Sequence, residues 1–98
     1  ATEFEKKEGI TQITKDNIDE VLKYKKFVFV KFYAPWCGHC KSMAPKYVEL
    51  ATKIESEKLE DVVIAECDAS SEQEINTRFG IEGFPTIKLF IDGKPIDY

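Results

Sequence analysis

The chain has 98 residues, of which 43% are apolar and 33% charged, with three cysteines and a net charge of −4. This length suits one small domain, residues 1–98, and the composition is that of a chain that folds around a core. Scattered lysines in an acidic chain argue against a nucleic-acid partner. No apolar run approaches the roughly 20 residues of a membrane-spanning helix, so we expect no membrane segment.

The first nine residues, ATEFEKKEG, are charged and lack the apolar centre of a signal peptide. A secretory signal has therefore either been removed from this sequence or never existed. The three cysteines are too few for a small domain held together by disulfides. A close pair of cysteines in an alternating α/β pattern indicates redox chemistry instead.

The chain begins with a predicted strand followed by a predicted helix. Residues 10–13 alternate between apolar and polar, which is typical of a strand. Thr14 or Asp16 is a suitable N-cap for the helix that follows. Its apolar residues recur at helical spacing, at Ile18, Val21 and Leu22.

Two longer elements come next. The segment from Phe27 to Ala34 is nearly all apolar, which predicts a central strand covered on both faces and interrupted only by Lys31. From Cys37 onward apolar residues recur every three or four positions, which predicts a long amphipathic helix beginning at or just before Cys37. Pro45 lies inside this helix and predicts a kink, because it lacks the N–H that would bond to the Lys41 carbonyl.

The second half continues the alternation of strands and helices. Residues 62–68 predict a third strand. Ser71 and Glu74 have the spacing of a capping box, which predicts a short helix ending at Gly80.

The last predicted elements form a hairpin. Residues 86–91 predict a fourth strand, and the Asp92-Gly93 pair predicts a tight turn into residues 95–98. The order β-α-β-α-β-α-β-β predicts an α/β domain with a mixed central sheet and helices on both of its faces.

The cysteine pair has the spacing of a redox site. Cys37 is expected at a helix N-terminus, where unpaired N–H groups and the helix dipole favour a thiolate. Cys40 lies one turn further along, close enough to form a disulfide and less exposed. His39, the only histidine, either carries positive charge that stabilises the Cys37 thiolate or is an idle surface residue.

A Cys-x-x-Cys pair can also be half of a zinc site. Zinc needs further ligands, and beyond this cluster the chain offers only Cys67 and carboxylates, so we expect no metal. Cys67 shares a predicted strand face with Val63 and Ala65. It is expected to be a small buried apolar residue, with a third redox centre as the alternative.

Two segments resemble a known family. FYAPWCGHCK at residues 32–41 and GIEGFPTIKLF at residues 80–90 are similar to the thioredoxin-fold domains of the protein disulfide isomerase family, and the resemblance runs nearly end to end. It implies a thioredoxin-like sheet in which Cys37 attacks substrate disulfides and Cys40 resolves the mixed disulfide. Gly38 and His39 complete the Cys-Gly-His-Cys form, which in this family is the oxidase and isomerase form.

The resemblance also implies a substrate site beside the cysteines. Pro85 corresponds to the cis-proline of the family, and Phe84 would supply the backbone that pairs with an extended substrate. Trp36, Phe84 and Ile81 are expected to line an apolar rim that binds unfolded polypeptide. The alternative is that they are ordinary, partly buried side chains.

The chain departs from the family pattern in two places. Lys31 stands where the family has a buried acidic residue that takes the proton of the second cysteine. Lys31 either serves as that base or extends into solvent without a role. The family domain also continues past IDY with a Gly-x-Arg turn and a final helix that covers one sheet face, so we expect that face to be covered by something beyond these 98 residues.

The cysteine pair and the resemblance together imply a thiol-disulfide oxidoreductase that forms and isomerises disulfides in folding secretory proteins, located in the lumen of the endoplasmic reticulum. The Cys37–Cys40 disulfide is its expected redox group, without a cofactor. Expected partners are unfolded or misoxidised polypeptides and either glutathione or an upstream oxidase, and the domain is expected to be one of several in a longer chain. Two alternatives stay open: a peptide-binding chaperone module, and a cytosolic reductase of the thioredoxin kind, against which His39 argues.

Overall fold

The computed structural model describes residues 4–97 as a six-stranded sheet with three helices. The strands are β1 (Lys6–Lys7), β2 (Ile10–Ile13), β3 (Phe27–Tyr33), β4 (Val62–Asp68), β5 (Thr86–Ile91) and β6 (Lys94–Asp97). The helices are α1 (Ile18–Tyr24), α2 (Gly38–Ser56) and α3 (Gln73–Phe79), with a short 3-10 turn at Ala69–Ser71 before α3.

The sheet is mixed, as the alternation of elements predicted. Its strand order is β1-β2-β4-β3-β5-β6, so β3 lies in the interior of the sheet. Strands β2, β4 and β3 are parallel, and the β1–β2, β3–β5 and β5–β6 pairs are antiparallel. The predicted central strand and the terminal hairpin are confirmed, and Tyr98 lies outside the described residues.

The two faces of the sheet carry different helices, because successive side chains of a strand point to opposite sides. Val28, Val30 and Phe32 of β3 join the buried residues of α1 and α3 in one core. Phe29 packs on the other face against Tyr47 of α2. The predicted placement of helices on both faces is therefore confirmed.

An apolar cleft of about 330 Å³ lies on the α2 face, between that helix and the sheet. It is lined by Phe27, Phe29, Leu50, Ile54, Val62, Ile64 and Leu89. Its position shows that α2 covers only part of this face within residues 4–97.

The N-cap predicted for α1 is wrong. Asn17 occupies the N-cap position, and its side chain does not bond into the helix. Its Oδ1 instead accepts the Thr14 N–H at 2.7 Å, while the Thr14 hydroxyl accepts the Asp16 N–H at 3.2 Å. These polar side chains close the turn before the helix, so they are unavailable to cap it.

The capping box predicted for α3 is also wrong. Helix α3 begins at Gln73, with Glu72 at its N-cap and no side-chain cap bond. The Ser71 hydroxyl donates to the Asp68 carbonyl at 3.1 Å, because the 3-10 turn places Ser71 before the helix. Gly80 ends α3, as predicted, and has the left-handed conformation with φ at 63°.

Strand β1, helix α2 and the last turn also differ from or agree with the sequence pattern. Strand β1 was not predicted, because two exposed lysines carry no strand pattern. Helix α2 continues past Pro45 to Ser56, and the kink at Pro45 stays a prediction. The Asp92-Gly93 turn is confirmed, with φ of 51° and 83° respectively.

Candidate active site

Cys37 caps the N-terminus of α2 immediately after the central strand β3. Its own N–H donates to the Ala34 carbonyl at 3.1 Å, and its carbonyl accepts the Lys41 N–H at 3.1 Å. The first bond closes a tight turn between β3 and α2, and the second is the first bond of the helix. This arrangement places Cys37 and Cys40 at the carboxyl end of an interior strand of the sheet.

The two cysteines differ in exposure and hydrogen bonding. Cys37 is 7% exposed and Cys40 is 4% exposed, so the second sulfur belongs to the more buried residue, as predicted. The Cys40 N–H donates to Cys37 Sγ at 3.2 Å. Both are free thiols in this structure.

These surroundings shift the pKa values of the two thiols in opposite directions. A hydrogen bond from the Cys40 side chain lowers the pKa of Cys37 below its ordinary value, and the backbone N–H groups of Cys40 and His39 add to this effect. Burial raises the pKa of Cys40, followed by the hydrogen bond with Cys37, while the positive charge of Lys31 acts in the opposite sense. Cys37 is thus the thiol that ionises first.

Gly38 and His39 form the exposed first turn of α2. A Cβ added to Gly38 would meet no atom within 4 Å, so the backbone here leaves room for a larger residue. The backbone N–H of His39 helps to lower the pKa of the Cys37 thiol. A role for the charge of its imidazole stays a prediction.

The loop before β5 lies against Cys37. The Phe84–Pro85 peptide bond is cis, as the resemblance implies. The Cys37 thiol donates to the Phe84 carbonyl oxygen at 3.6 Å, a contact that joins two distant parts of the chain. The spacing of Cys37 and Phe84 along the chain does not predict this contact.

The apolar side chains predicted for the rim are partly brought together. Trp36 is 70% exposed and meets Phe84 edge to face, with ring centroids 5.8 Å apart. Phe84 also packs beside the two cysteines and Ala34. Ile81 is half-buried and packs against the core on the α1 and α3 face.

Lys31 lies inside the protein. It is 3% exposed, and its Nζ is 3.4 Å from Glu66 Oε1. The same Nζ lies over the rings of Tyr47 and Tyr33, at 4.6 Å and 5.4 Å from their centroids. The expectation that Lys31 extends into solvent is therefore wrong, because Lys31 and Glu66 are paired in the register of β3 and β4.

Glu66 is a residue of this region that sequence reasoning missed. Its Oε2 accepts a hydrogen bond from the Gln12 side chain at 2.9 Å. Glu66, Lys31 and Cys40 line one cleft of about 240 Å³. The available signal was that Lys31 and Glu66, of opposite charge, each interrupt the apolar stretch of a predicted strand, but only the pairing of the strands brings the charges together.

Cys67 is buried on the opposite face of the sheet. It is 1% exposed and belongs to the core of α1 and α3. Burial raises the pKa of its thiol to about 12, with further contributions from Glu72 and Asp68. Its surroundings are those of a small apolar core residue, as predicted.

The described part of the chain, residues 4–97, has neither a metal-binding cluster nor a membrane-spanning helix. No group of three or more His, Cys, Asp and Glu side chains there is arranged to hold a metal ion. No helix in the same range has the length and apolar character needed to cross a membrane.

Comparisons with known proteins agree with the fold. A family model described as Thioredoxin matches residues 9–98. Protein disulfide-isomerase erp38 of Neurospora crassa is 49% identical over 96 residues, covering 94% of this chain and 26% of the relative. Protein disulfide-isomerase A4 of Homo sapiens is 45% identical over 86 residues, covering 88% of this chain and 13% of the relative.

A solved structure gives the same result at the level of the domain. The solution structure of the first thioredoxin domain of mouse Protein disulfide-isomerase A4 superimposes with a TM-score of 0.87 at 34% identity, covering 98% of this chain and 68% of that one. The chain spans only 13% and 26% of the two curated relatives, so it corresponds to one domain-sized part of them. The chain therefore belongs to the thioredoxin family, with its relatives among the protein disulfide isomerases.

Proposed function

We propose that the domain is a thiol-disulfide oxidoreductase in which Cys37 is the attacking thiolate and Cys40 the resolving thiol. The observation that carries this proposal is the contrast between the two sulfurs. Cys37 Sγ accepts the Cys40 N–H at the start of α2 and has a lowered pKa, whereas burial raises that of Cys40. The two steps of disulfide exchange require a nucleophile that ionises at a lower pH and a second thiol that stays protonated until it attacks.

The reaction is a pair of sulfur displacements. The Cys37 thiolate attacks one sulfur of a substrate disulfide, which forms a mixed disulfide and releases the other substrate sulfur as a thiolate. Cys40 then loses its proton and attacks Cys37 Sγ, which forms the Cys37–Cys40 disulfide and releases the second substrate thiolate. The substrate gains two electrons and the cysteine pair loses two, and the reverse sequence oxidises a substrate dithiol.

We further propose that the substrates are cysteines of folding secretory proteins in the lumen of the endoplasmic reticulum. The support is the Cys-Gly-His-Cys sequence and the similarity to named protein disulfide isomerases. The exposed Trp36 ring and the Phe84 backbone beside Cys37 offer an apolar contact and a carbonyl group to an extended chain. Glutathione or an upstream oxidase would then return the pair to its disulfide form.

Cysteine variants test the redox proposal directly. Cys40→Ser should accumulate mixed disulfides with a denatured client, because the resolving thiol is gone, and Cys37→Ser should form none. Catalysed rearrangement of a scrambled disulfide protein should be present in the wild type and absent in Cys37→Ser. Rearrangement by Cys37→Ser at the wild-type rate would rule the proposal out.

The reduction potential separates the two kinds of oxidoreductase. Reference values are about −180 mV for protein disulfide isomerases and about −270 mV for thioredoxins. We expect this pair to equilibrate with glutathione near the first value. A value near −270 mV would assign the domain to the reductases and remove the proposed isomerase role.

The exposure of Trp36 favours a second candidate, a module that holds unfolded polypeptide without redox chemistry. The double variant Cys37→Ser/Cys40→Ser distinguishes the two. If holding is the main activity, this variant suppresses aggregation of a client as well as the wild type, and Trp36→Ala does not. Under the oxidoreductase proposal, the double variant loses disulfide exchange altogether.

A further inference from the structure

A buried ion pair lies beside Cys40 and has no part in the two sulfur displacements described above. Lys31 and Glu66 are paired in the register of β3 and β4, with side-chain exposures of 4% and 15%. Removing two charges from water costs free energy that their attraction does not fully return, so such a pair is weak evidence for stability alone. Its place next to a reacting thiol suggests a chemical role.

The cleft connects the ion pair to the resolving cysteine. Cys40, Lys31 and Glu66 all line it, and its volume of about 240 Å³ is large enough for several water molecules. Tyr33 and the exposed Lys41 contribute to its walls. Cys40 and Glu66 therefore line the same open cleft, in which water molecules can carry a proton between them.

Within the pair, only Glu66 can accept that proton. The Lys31 ammonium has three donors and no free lone pair, whereas a carboxylate has acceptor sites on both oxygens. Glu66 Oε1 is beside Lys31 Nζ, and Oε2 accepts the hydrogen bond from Gln12, so the carboxylate is held on both sides. This is the environment of a fixed, oriented base.

The other titratable groups around Glu66 are poorly suited to the task. The Tyr47 hydroxyl donates to the carbonyl oxygens of Phe29 and Ala65. Burial and the charge of Glu66 raise the pKa of Tyr47, and the same two causes raise that of Tyr33 to about 12. Neither tyrosine exchanges protons near neutral pH, and the Lys41 ammonium is a donor only.

We propose that Glu66 takes the proton from the Cys40 thiol as it attacks the mixed disulfide, and that Lys31 is a positioning residue that holds the Glu66 carboxylate at the cleft. The proposal rests on the proposed oxidoreductase function. The Cys40 S–H bond breaks and Glu66 becomes protonated, while the new S–S bond to Cys37 forms. The proton then passes through the cleft to solvent or to the departing substrate thiolate, which leaves Glu66 ionised again.

The test separates the two steps of exchange. Reduced protein is mixed with oxidised glutathione, quenched with acid at intervals and analysed by mass spectrometry, which resolves the glutathione mixed disulfide from the internal disulfide. In Glu66→Gln we expect resolution of the mixed disulfide at pH 7 to slow by about tenfold or more, because a positioned base is lost. Formation of the mixed disulfide by Cys37 should stay within about twofold of the wild type.

The pH dependence gives a readout that a purely structural role would not change. Without the carboxylate, Cys40 must ionise in solvent, so the resolution rate of Glu66→Gln should rise steeply with pH up to 9 and approach that of the wild type there. Glu66→Asp, which keeps a carboxylate, should recover part of the rate at pH 7. Asp19→Asn, which removes the exposed ion pair with Arg78 far from the site, should match the wild type throughout.

Lys31→Met distinguishes the two members of the pair. Since the Glu66 carboxylate remains in Lys31→Met, we expect this variant to slow resolution of the mixed disulfide less than Glu66→Gln does. An unchanged rate of resolution in Glu66→Gln would overturn the proposal. If, in addition, Lys31→Met resolved the mixed disulfide slowly, Lys31 would be the base.

Two controls keep the result interpretable. If Glu66→Gln does not fold because Lys31 is left unpaired, the apolar double variant Lys31→Met/Glu66→Met removes both charges, and slow resolution with normal attack by Cys37 is again expected. Failure of the wild type to form the mixed disulfide at all would instead contradict the oxidoreductase function. The two proposals therefore fail in different steps of the same experiment.

Discussion

At the scale of single residues, the site depends on two sulfurs in different surroundings. The Cys37 thiol receives hydrogen bonds at the start of α2, and the Cys40 thiol lies deeper beside Lys31. Backbone N–H groups at a helix N-terminus stabilise an anion, and burial opposes one. The same four-residue segment thereby gives the proposed nucleophile and the proposed resolving thiol different surroundings.

The first prediction concerns the ionisation of this pair. The rate of alkylation by iodoacetamide follows the thiolate fraction. Labelling of Cys37 should therefore level off at a lower pH than labelling of glutathione in the same tube. Labelling of Cys40 should level off at a higher pH than labelling of glutathione. Peptide-level mass spectrometry between pH 5 and pH 10 measures the three midpoints. Equal midpoints for Cys37 and glutathione would contradict the assignment of the nucleophile.

The second prediction concerns the third cysteine. Because Cys67 is 1% exposed and burial raises the pKa of its thiol to about 12, it should not react in the native protein at pH 8. A thiol titration of the reduced protein should therefore give two reactive groups, and three after addition of guanidinium. Cys67→Ala should leave the native count at two, whereas three fast thiols in the native wild type would place Cys67 at the surface.

The sequence supplied the residues of the site that lie close together in the chain. Cys37, His39 and Cys40 fall within one helical turn, so their spacing alone predicts their proximity. The contact of Cys37 with the Phe84 carbonyl and the ion pair of Lys31 with Glu66 depend on which strands are neighbours and in which register. That information arises only when the sheet forms.

At the scale of elements, one hydroxyl group attaches α2 to the sheet. The Tyr47 side chain is 3% exposed, and its hydroxyl donates to the carbonyl oxygens of Phe29 on β3 and Ala65 on β4. The ring also stacks on Phe29, with centroids 6.3 Å apart. Tyr47 thus holds the middle of α2 close to the strands that position the cysteines.

The third prediction tests this attachment. Tyr47→Phe keeps the ring but removes the hydroxyl, so the free energy of unfolding should fall by about 1–2 kcal/mol, the usual range for a buried hydrogen bond. Urea denaturation followed by circular dichroism measures the change. Tyr24→Phe is the matched control, since Tyr24 is 45% exposed, and equal effects of the two variants would contradict the role given to Tyr47.

The elements themselves were predictable, and their first turns were not. Short apolar runs identify the strands β3 and β4, and apolar residues at every third or fourth position identify helix α2, because these segments bury one or both of their faces. Thr14 and Ser71 were expected to cap helices, but each bonds within the turn that precedes its helix. Ser, Thr, Asn and Asp suit turns and caps equally well, so local sequence does not distinguish the two.

At the scale of the whole molecule, the lowered pKa of Cys37 links the redox state to folding. In the unfolded chain this thiol has an ordinary pKa, so the folded reduced protein gains stability that is complete above that ordinary pKa. This gain is lost as the pH falls through the lowered pKa of the folded state. The raised pKa of Cys40 acts in the opposite sense, and only at alkaline pH where the unfolded thiol ionises.

The fourth prediction follows from this linkage. As the pH falls below the ordinary pKa of a cysteine thiol, the stability of the reduced protein should decrease relative to that of the oxidised protein. Urea unfolding of both forms at several pH values measures the difference. The variant Cys37→Ser/Cys40→Ser should give the same curve under reducing and oxidising conditions, and a wild-type difference that does not vary with pH would contradict the linkage.

The strands at the two margins of the sheet have a further consequence. Strand β1 is the pair Lys6–Lys7, and strand β6 is short and contains Lys94 and Pro95. Lysine hinders the docking of another strand, and proline cannot donate a backbone hydrogen bond to one. Both margins of the described sheet therefore resist extension by a foreign β-strand, which lowers the tendency of the domain to associate edge to edge.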